Sequence, residues 1–381
     1  MTPAAEGAPL QHSPAARRAR AALLRAPQTP LLIEDIQVAE PRANEVLVRL
    51  AGTGICHTDL VIRDGFPAPL PMVLGHEGAG VVEAVGSAVT TLKVGDSVVL
   101  SFNACGQCGN CAKHEPAYCY QFFPLNFGGQ RPDGSTGLSQ DGQTVYGQFF
   151  GQSSFATLAL APAANVVKID PSLPLALMGP LGCGIQTGAG AVMNSLKLQA
   201  GESIAIFGGG AVGLSGVMAA KALGAAHIIV VEPNAGRRAL ALELGATHVI
   251  DPKAEADVPA AVKAAGPGGV QRALDTTGIP PVIRQAADTL LPNGLLGLLG
   301  VSPMEVDVPV NLMSLIIRGV GIKAILEGDS DPQVFIPQLI ALYQAGRFPF
   351  DKLIKTFPFE QINEAIHASE DGSVIKPVIV F

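Results

Sequence analysis

The sequence predicts an α/β protein of two domains, a β-rich unit interrupted by a doubly wound parallel sheet. Three observations lead there. A chain of 381 residues is more than one ordinary core organises, and about two domains is the expectation at that length. Between Ser203 and Ile325, short apolar and β-branched runs alternate with helical stretches that glycine closes; this is the pattern of a parallel sheet with helices on both faces. Before Gly201 the texture differs, with short strands, many turns and a cysteine-rich block.

The elements follow in order. Residues 1–17 are rich in Ala and Pro and lack an apolar h-region, so they read as a disordered N-terminal extension and not as a secretory signal. Leu31–Val38 and Asn44–Leu50 read as strands, and Val81–Val85 and Asp96–Leu100 follow glycine-bearing turns. The cysteine block and the glycine-rich stretch to about Gly151 show little regular structure, and a bound metal would compensate for the missing core. Ser203–Phe207, His227–Val231 and Thr247–Ile250 are expected strands, with helices at Ala211–Leu223, stopped by Gly224, and Ala235–Leu244, stopped by Gly245. Val270–Asp275, Leu295–Leu299 and Val320–Ile325 complete the sheet, and the chain ends in the β-rich Pro377–Phe381. The expected nucleotide domain is 184–327. The first domain takes 18–183 and 328–381, with a metal lobe at about 103–120.

Composition narrows the function. Hydrophobic residues make up 48% and charged residues 15%, which describes a well-buried enzyme. The net charge of −7 and the lack of any Lys/Arg run argue against nucleic acid or an anionic membrane as partner. No stretch reaches the roughly 18 apolar residues of a membrane span. Clustered cysteines suit metal ligation in a reducing compartment, and a cytoplasmic location is expected.

Four of the six cysteines form Cys105-x-x-Cys108-x-x-Cys111-x7-Cys119. Thiolates at two-residue gaps can close a tetrahedral zinc shell completely, which makes a structural site. The other two, Cys56 and Cys183, stand alone, and His76 lies 20 residues after Cys56 in a Gly-His-Glu triplet. Cys56, His76 and Cys183 supply three ligands and leave one position open, the arrangement zinc chemistry on a substrate requires. Spacing alone supports core packing of these three as well as ligation. Cys183, flanked by glycines at the expected domain junction, adds weight to ligation, because ligands of open α/β sheets bind in such crevices.

Ser203–Phe207 runs into Gly208-Gly209-Gly210-Ala211-Val212-Gly213 and then a helix. Gly208 permits the tight turn, Gly210 lets a pyrophosphate approach the backbone, and Gly213 lets the helix pack close; the helix N-terminus offers free N–H groups. Glu232 ends the next strand 19 residues beyond Gly213, where a carboxylate accepts hydrogen bonds from the ribose and repels a 2′-phosphate. NAD is favoured over NADP, with Arg237 and Arg238 leaving some dual use open. Asp275, at a strand end, reads equally as facing the cofactor or as solvated.

With these motifs in view, the chain resembles the zinc-dependent medium-chain alcohol dehydrogenases from about residue 18 to 381. The resemblance rests on Gly54-Ile55-Cys56-His57-Thr58-Asp59, Gly75-His76-Glu77, the four-cysteine block, Gly182-Cys183-Gly184, the Gly208–Gly213 loop and Glu232. It implies a GroES-like catalytic domain joined to a Rossmann domain, with two zinc ions per chain. Cys56, His76 and Cys183 would hold the catalytic zinc, Asp59 would orient His76, and Glu77 would lie behind the metal. His57 and Lys376 would stand near the pyrophosphate and Thr187 against the nicotinamide; Arg237 and Val301 complete the expected cofactor contacts. A homodimer or homotetramer is expected.

Within that family, Phe122-Phe123-Pro124-Leu125-Asn126-Phe127 and the run Gly182–Gly190 resemble the aryl-alcohol branch. Many members carry a histidine five residues after the first zinc cysteine, as the last base of a proton relay; this chain has Val61 there. The resemblance implies that Thr58 takes the alcohol proton and passes it through the ribose hydroxyls; with Val61 in the last seat, the expected exit is water or His57. The expected reaction is hydride transfer between a primary aromatic or allylic alcohol and NAD, giving the aldehyde. Two alternatives stand beside it: an aliphatic alcohol or S-(hydroxymethyl)glutathione dehydrogenase on the same scaffold, and a non-catalytic NAD-binding protein. The last predicts a damaged ligand set, whereas all three residues are present.

Overall fold

The computed structural model describes residues 16–381 apart from 304 and 309. The expected N-terminal extension lies outside these residues except at its end, where Arg17 opens β1 (Arg17–Leu24). β1 pairs antiparallel with β2 (Leu32–Val38), and Arg17 is held by Glu40 at 3.1 Å and Glu83 at 2.7 Å. That pairing is why a segment opening Arg-Arg-Ala-Arg is a strand: the guanidinium groups on its solvent side find carboxylates while Ala19 and Ala21–Leu24 are buried.

β3 (Glu45–Gly54) is the spine of the first domain. The seven-stranded sheet around it also contains β5 (Gly78–Val85), β6 (Ser97–Leu100), β9 (Leu158–Pro162), β10 (Val166–Lys168), β17 (Ile354–Pro358) and β18 (Lys376–Val380). β18 pairs with β3 on one side and β17 on the other, so the C-terminal segment becomes an interior strand of this sheet. A second, five-stranded sheet runs β4-β1-β2-β7-β8, with β4 Met72–Val73, β7 Leu138–Gln140 and β8 Gln143–Val145. Two helices matter here, α1 (His57–Arg63) and α2 (Phe122–Phe127).

After α3 (Gly184–Gly190) the chain builds a six-stranded parallel sheet. Its strands are β11 (Ser203–Phe207), β12 (His227–Val231), β13 (His248–Ile250), β14 (Val270–Asp275), β15 (Leu290–Leu298) and β16 (Gly321–Ala324). The order β13-β12-β11-β14-β15-β16 reverses beside β11, and dinucleotides bind at such a switch point. The helices α4 (Ala211–Leu223), α5 (Ala235–Leu244), α6 (Val258–Ala265), α7 (Pro280–Asp288) and α8 (Leu312–Arg318) belong to this unit; α9 (Pro332–Gln344) and α10 (Ile362–Glu370) follow. α4 buries Leu214, Val217 and Met218 in the same core as Ile204, Ile206 and Leu274, a face the 3.6-residue period provides. Among the described residues no helix is long and apolar enough to cross a membrane.

Candidate active site and metal centres

β3 ends at Gly54, and Cys56 caps α1. The capping carboxylate is Asp59: its Oδ2 accepts the Cys56 amide at 2.9 Å, while its Oδ1 accepts Gly75 N–H at 3.0 Å and faces His76 Nδ1 at 2.9 Å. A carboxylate that already accepts two amides acts as acceptor here too, which places the imidazole proton on Nδ1. His76 Nε2 then points its lone pair into the protein, buried and with no hydrogen-bond partner. A buried polar atom without a partner is expensive. The sulfurs of Cys56 and Cys183 stand beside the ring, and all three ligand atoms lie within 4.8 Å of one another. This set fits a zinc ion.

The electrostatics favour positive charge at this point, a proton on Nε2 or the metal that displaces it. Burial alone lowers the His76 pKa, but the Asp59 carboxylate and Cys56 overcome it and hold it well above its ordinary value. A hydrogen bond from Cys183 brings the Cys56 thiol well below its usual range, and Cys183 is raised correspondingly. In this arrangement Cys56 is the first thiol to become a thiolate. Glu77 lies behind the ligands and is fully buried. It accepts Lys376 Nζ at 2.9 Å on both oxygens and the Gly184 amide at 3.0 Å. Lys376 also donates to Ile55 O at 3.1 Å. Lys376, expected as a cationic or donor group near the pyrophosphate, is in the folded chain a buried counter-charge to Glu77, because β18 delivers it between Ile55 and Gly184. A side chain on Gly54 would place Cβ 1.9 Å from Glu77 Oε2, so only glycine fits there.

Thr58 Oγ1 lies 3.9 Å from Cys56 Sγ, while His57 is exposed at the start of α1. Thr187, on α3, donates to Glu327 Oε2 at 3.3 Å. Sequence reasoning missed Glu327, a buried carboxylate whose pKa burial pushes up to about 7. It also missed the rings around His76, on which Phe150 stacks at 4.5 Å while Phe149 meets its edge at 5.4 Å. Phe127 packs on both, and Phe123 stacks on Phe127 at 4.9 Å. The Phe-rich run at 122–127 was the available signal.

The four lobe cysteines bring their sulfurs within 4.8 Å of one another. Cys105 to Cys111 is 3.9 Å and Cys108 to Cys111 is 3.5 Å; a zinc ion with about 2.3 Å Zn–S bonds sets tetrahedral S–S separations of about 3.8 Å. Backbone amides of Cys105, Cys108 and Gln121 point at these sulfurs. No disulfide links any of the six cysteines.

At the glycine loop, Gly208 has φ +103° and a Cβ would meet Thr276 Oγ1 at 2.3 Å; on Gly213 it would meet Gly208 O at 1.9 Å. On Gly210 it would meet nothing within 4 Å, so the space above the loop, where Ala211 and Val212 open α4, stands clear. That open cradle fits a pyrophosphate. Glu232 is buried and braces the loop, Oε2 accepting Gly209 N–H at 2.6 Å and Oε1 Asn234 N–H at 2.7 Å. Arg238 is engaged with Asp251 at 3.0 Å, whereas Arg237 Nε has no partner. Val301 is exposed after β15. Asp275 is buried rather than solvated, accepting Thr277 Oγ1 at 2.7 Å and Gly278 N–H at 2.9 Å.

Residues 42–171 match the family model of the alcohol dehydrogenase GroES-like domain, and residues 211–344 match that of the zinc-binding dehydrogenase. The chain is 57% identical over 364 residues to geraniol dehydrogenase of Castellaniella defragrans, spanning 95% of this chain and 98% of that one. Among solved structures it is similar to an alcohol dehydrogenase zinc-binding domain protein from Burkholderia ambifaria. There the identity is 51% and the TM-score 0.95, over 96% of this chain and all of that one. It is also similar to benzyl alcohol dehydrogenase of Acinetobacter calcoaceticus, at 44% identity and a TM-score of 0.93 over 96% and 99% of the two chains. With two matching domains, near full-length relatives and a ligand set that fits the metal, the chain belongs to the zinc-dependent medium-chain alcohol dehydrogenases, which work with a nicotinamide cofactor.

Proposed function

We propose that this protein is an NAD-dependent zinc alcohol dehydrogenase that oxidises primary aromatic or allylic alcohols to aldehydes. The observation that carries the reading is the convergence of Cys56, His76 and Cys183 with His76 Nε2 buried and unpartnered. When bound there, zinc supplies Lewis acidity toward an alcohol oxygen, and the nicotinamide supplies the hydride acceptor.

The chain's own residues supply the rest. Asp59 fixes the tautomer and direction of His76. Thr58, beside Cys56, receives the alcohol proton, and with Val61 unable to carry it further, exposed His57 or water takes it to solvent. The accessible rings of Phe123 and Phe127, stacked at 4.9 Å and joined to the imidazole through buried Phe150, support a preference for flat, unsaturated substrates, which stack on aromatic faces. Glu232 at the loop supports NAD over NADP. The four-cysteine lobe holds a second zinc. The catalytic domain comprises residues 18–183 and 328–381 around a cofactor domain of 184–327. Leu312, Met313, Ile316 and Ile317 are exposed on α8, close to the edge strand β16, and support assembly as a homodimer or homotetramer. The reducing compartment that free cysteines favour is the cytoplasm.

The test is a substrate panel of benzyl alcohol, geraniol, ethanol and a glutathione–formaldehyde adduct with both nicotinamide cofactors, alongside metal analysis. Two zinc ions per chain, turnover fastest on the first two alcohols, and loss of turnover in Cys56→Ser with an unchanged circular dichroism spectrum are expected. Faster turnover of ethanol or the adduct would reject the substrate class.

A further inference from the structure

The residue left without a task is Glu327. It opens a turn, Glu327–Asp329, in which three consecutive residues have positive φ: +49°, +68° and +50°. Gly328 adopts that region freely, but Glu327 and Asp329 do so only because their surroundings hold them there. Those surroundings are specific. A Cβ on Gly190 would lie 2.3 Å from Gly328 O, so α3 and the turn are in backbone contact. Ser330 Oγ donates to Glu327 O, and Asn194 Nδ2 donates to Gly328 O at 3.2 Å. Asp329 pairs with Lys323 and accepts the Tyr118 hydroxyl at 2.6 Å; the same hydroxyl accepts Leu326 N–H at 3.2 Å. Tyr118 immediately precedes the lobe ligand Cys119.

The strained turn buries one carboxylate and aims it at α3. Glu327 Oε1 is 3.8 Å from Cys183 Sγ, and Oε2 accepts Thr187 Oγ1 at 3.3 Å. A threonine inside a helix has two open χ1 choices, because its hydroxyl can also bond back to the carbonyl four residues earlier. For Thr187 that carbonyl belongs to Cys183, which already accepts the Thr187 amide at 2.9 Å. The Glu327 oxygen therefore selects one of two rotamers, and with it the place of the Thr187 methyl.

We propose that Glu327 is a positioning residue that locks the Thr187 rotamer on the cofactor-facing wall of the active site, and that Tyr118 of the four-cysteine lobe holds the turn that delivers it. The proposal rests on the dehydrogenase reading, which is what sets Thr187 against the nicotinamide. It ties the lobe to the reaction by a defined path: Cys119, Tyr118, the Glu327–Asp329 turn, Thr187.

The experiment compares Glu327→Ala, Glu327→Gln and Tyr118→Phe in the zinc-replete full chain, reading NADH affinity from the fluorescence of the bound cofactor and kcat and KM separately. Glu327→Ala should weaken NADH binding about fivefold, the effect of one lost hydrogen bond, and raise the KM of the oxidised cofactor in parallel. Glu327→Gln keeps a carbonyl acceptor for Thr187 and should stay within about twofold of the parent, and Tyr118→Phe should fall between the two. A role in stability alone predicts unchanged NADH affinity in every folded variant, and that result overturns the proposal. Should Glu327→Ala not fold, Thr187→Val removes the donor and leaves the turn intact; unchanged affinity there overturns the proposal equally. A parent enzyme that binds no NADH sinks the dehydrogenase reading itself, whereas a binding parent with an unaffected Glu327→Ala sinks only the positioning role.

Discussion

Replacing Lys376 with methionine removes one charge from a pair that water does not reach. Lys376 is 3% exposed and Glu77 0%. The substitution keeps an unbranched side chain of similar length and deletes the ammonium, so the packing loss is small. Two hydrogen bonds to Glu77 at 2.9 Å and one to Ile55 O at 3.1 Å disappear. Hydrogen bonds to charged groups contribute about 1.5–3 kcal/mol each, which puts the Glu77 pair at about 3–6 kcal/mol before the lysine's own desolvation is returned. Removing one partner of a buried ion pair costs about 3–5 kcal/mol by measurement elsewhere, and the two ranges overlap. Glu77 keeps only the Gly184 amide at 3.0 Å. Burial already raises its pKa and Lys376 opposes that rise. Without the lysine that opposition is gone and the carboxyl holds its proton to higher pH, which limits the loss.

The assay is urea unfolding of the zinc-replete protein, for Lys376→Met, Glu77→Gln and the double variant. The expected cost of Lys376→Met is about 3–5 kcal/mol, with the double variant more stable than the sum of the singles predicts by about 2 kcal/mol, in the range of coupled neighbours. A cost below about 1 kcal/mol, or strict additivity, would refute the view that the two side chains form one buried unit.

Other perturbations probe the neighbouring machinery. Asp59→Asn leaves the shape of the cap but weakens the acceptor of Cys56 N–H, Gly75 N–H and His76; zinc affinity in a chelator competition should fall about 10–100-fold, as such outer partners do, and an unchanged affinity would free Asp59 of that role. Gly210→Ala meets no atom within 4 Å, so the melting temperature should hold while NADH affinity falls about tenfold or more, the loss expected when a Cβ occupies the pyrophosphate's approach; equal losses in both would place the defect in folding. The side-chain hydrogen bonds of Arg25 hold the Glu34 carboxyl below its ordinary value. A lowered folded pKa adds stability above the unfolded value of about 4.3 and loses it as pH falls through the folded value. The urea midpoint should therefore drop on acidification below about pH 4, and less steeply in Glu34→Gln.

Much of the cofactor unit was legible in the chain. Ser203–Phe207, Ala211–Leu223, His227–Val231, Ala235–Leu244 and Val270–Asp275 fall where the alternation of strand and helix signals puts them, because glycine stops and buried β-branched runs are local cues. β15 starts at Leu290 instead of Leu295, since Pro292-Asn293-Gly294 reads as a turn while the strand absorbs it through a register shift against β14. β1 was missed in part because its arginines look like a polar extension until Glu40 and Glu83 are placed beside them. Cys56, His76 and Cys183 were legible as candidate ligands with a recognisable neighbourhood, and the fold brings their ligand atoms within 4.8 Å of one another. The partners of Lys376 and the presence of Glu327 were not, because each depends on a long-range contact that no spacing encodes: 299 residues separate Glu77 from Lys376 and 144 separate Cys183 from Glu327.

The interior place of β18 has a consequence for biosynthesis. On the ribosome, Cys56, His76 and Cys183 are all exposed to the cell long before Lys376 is translated, and the whole six-stranded sheet is made in between. Until β18 takes its place between β3 and β17, Glu77 lacks the counter-ion it has in the folded chain. A nascent chain stalled before that point would carry the ligands in an unneutralised, half-built pocket, so premature metal capture and the attention of chaperones should both concentrate on that interval.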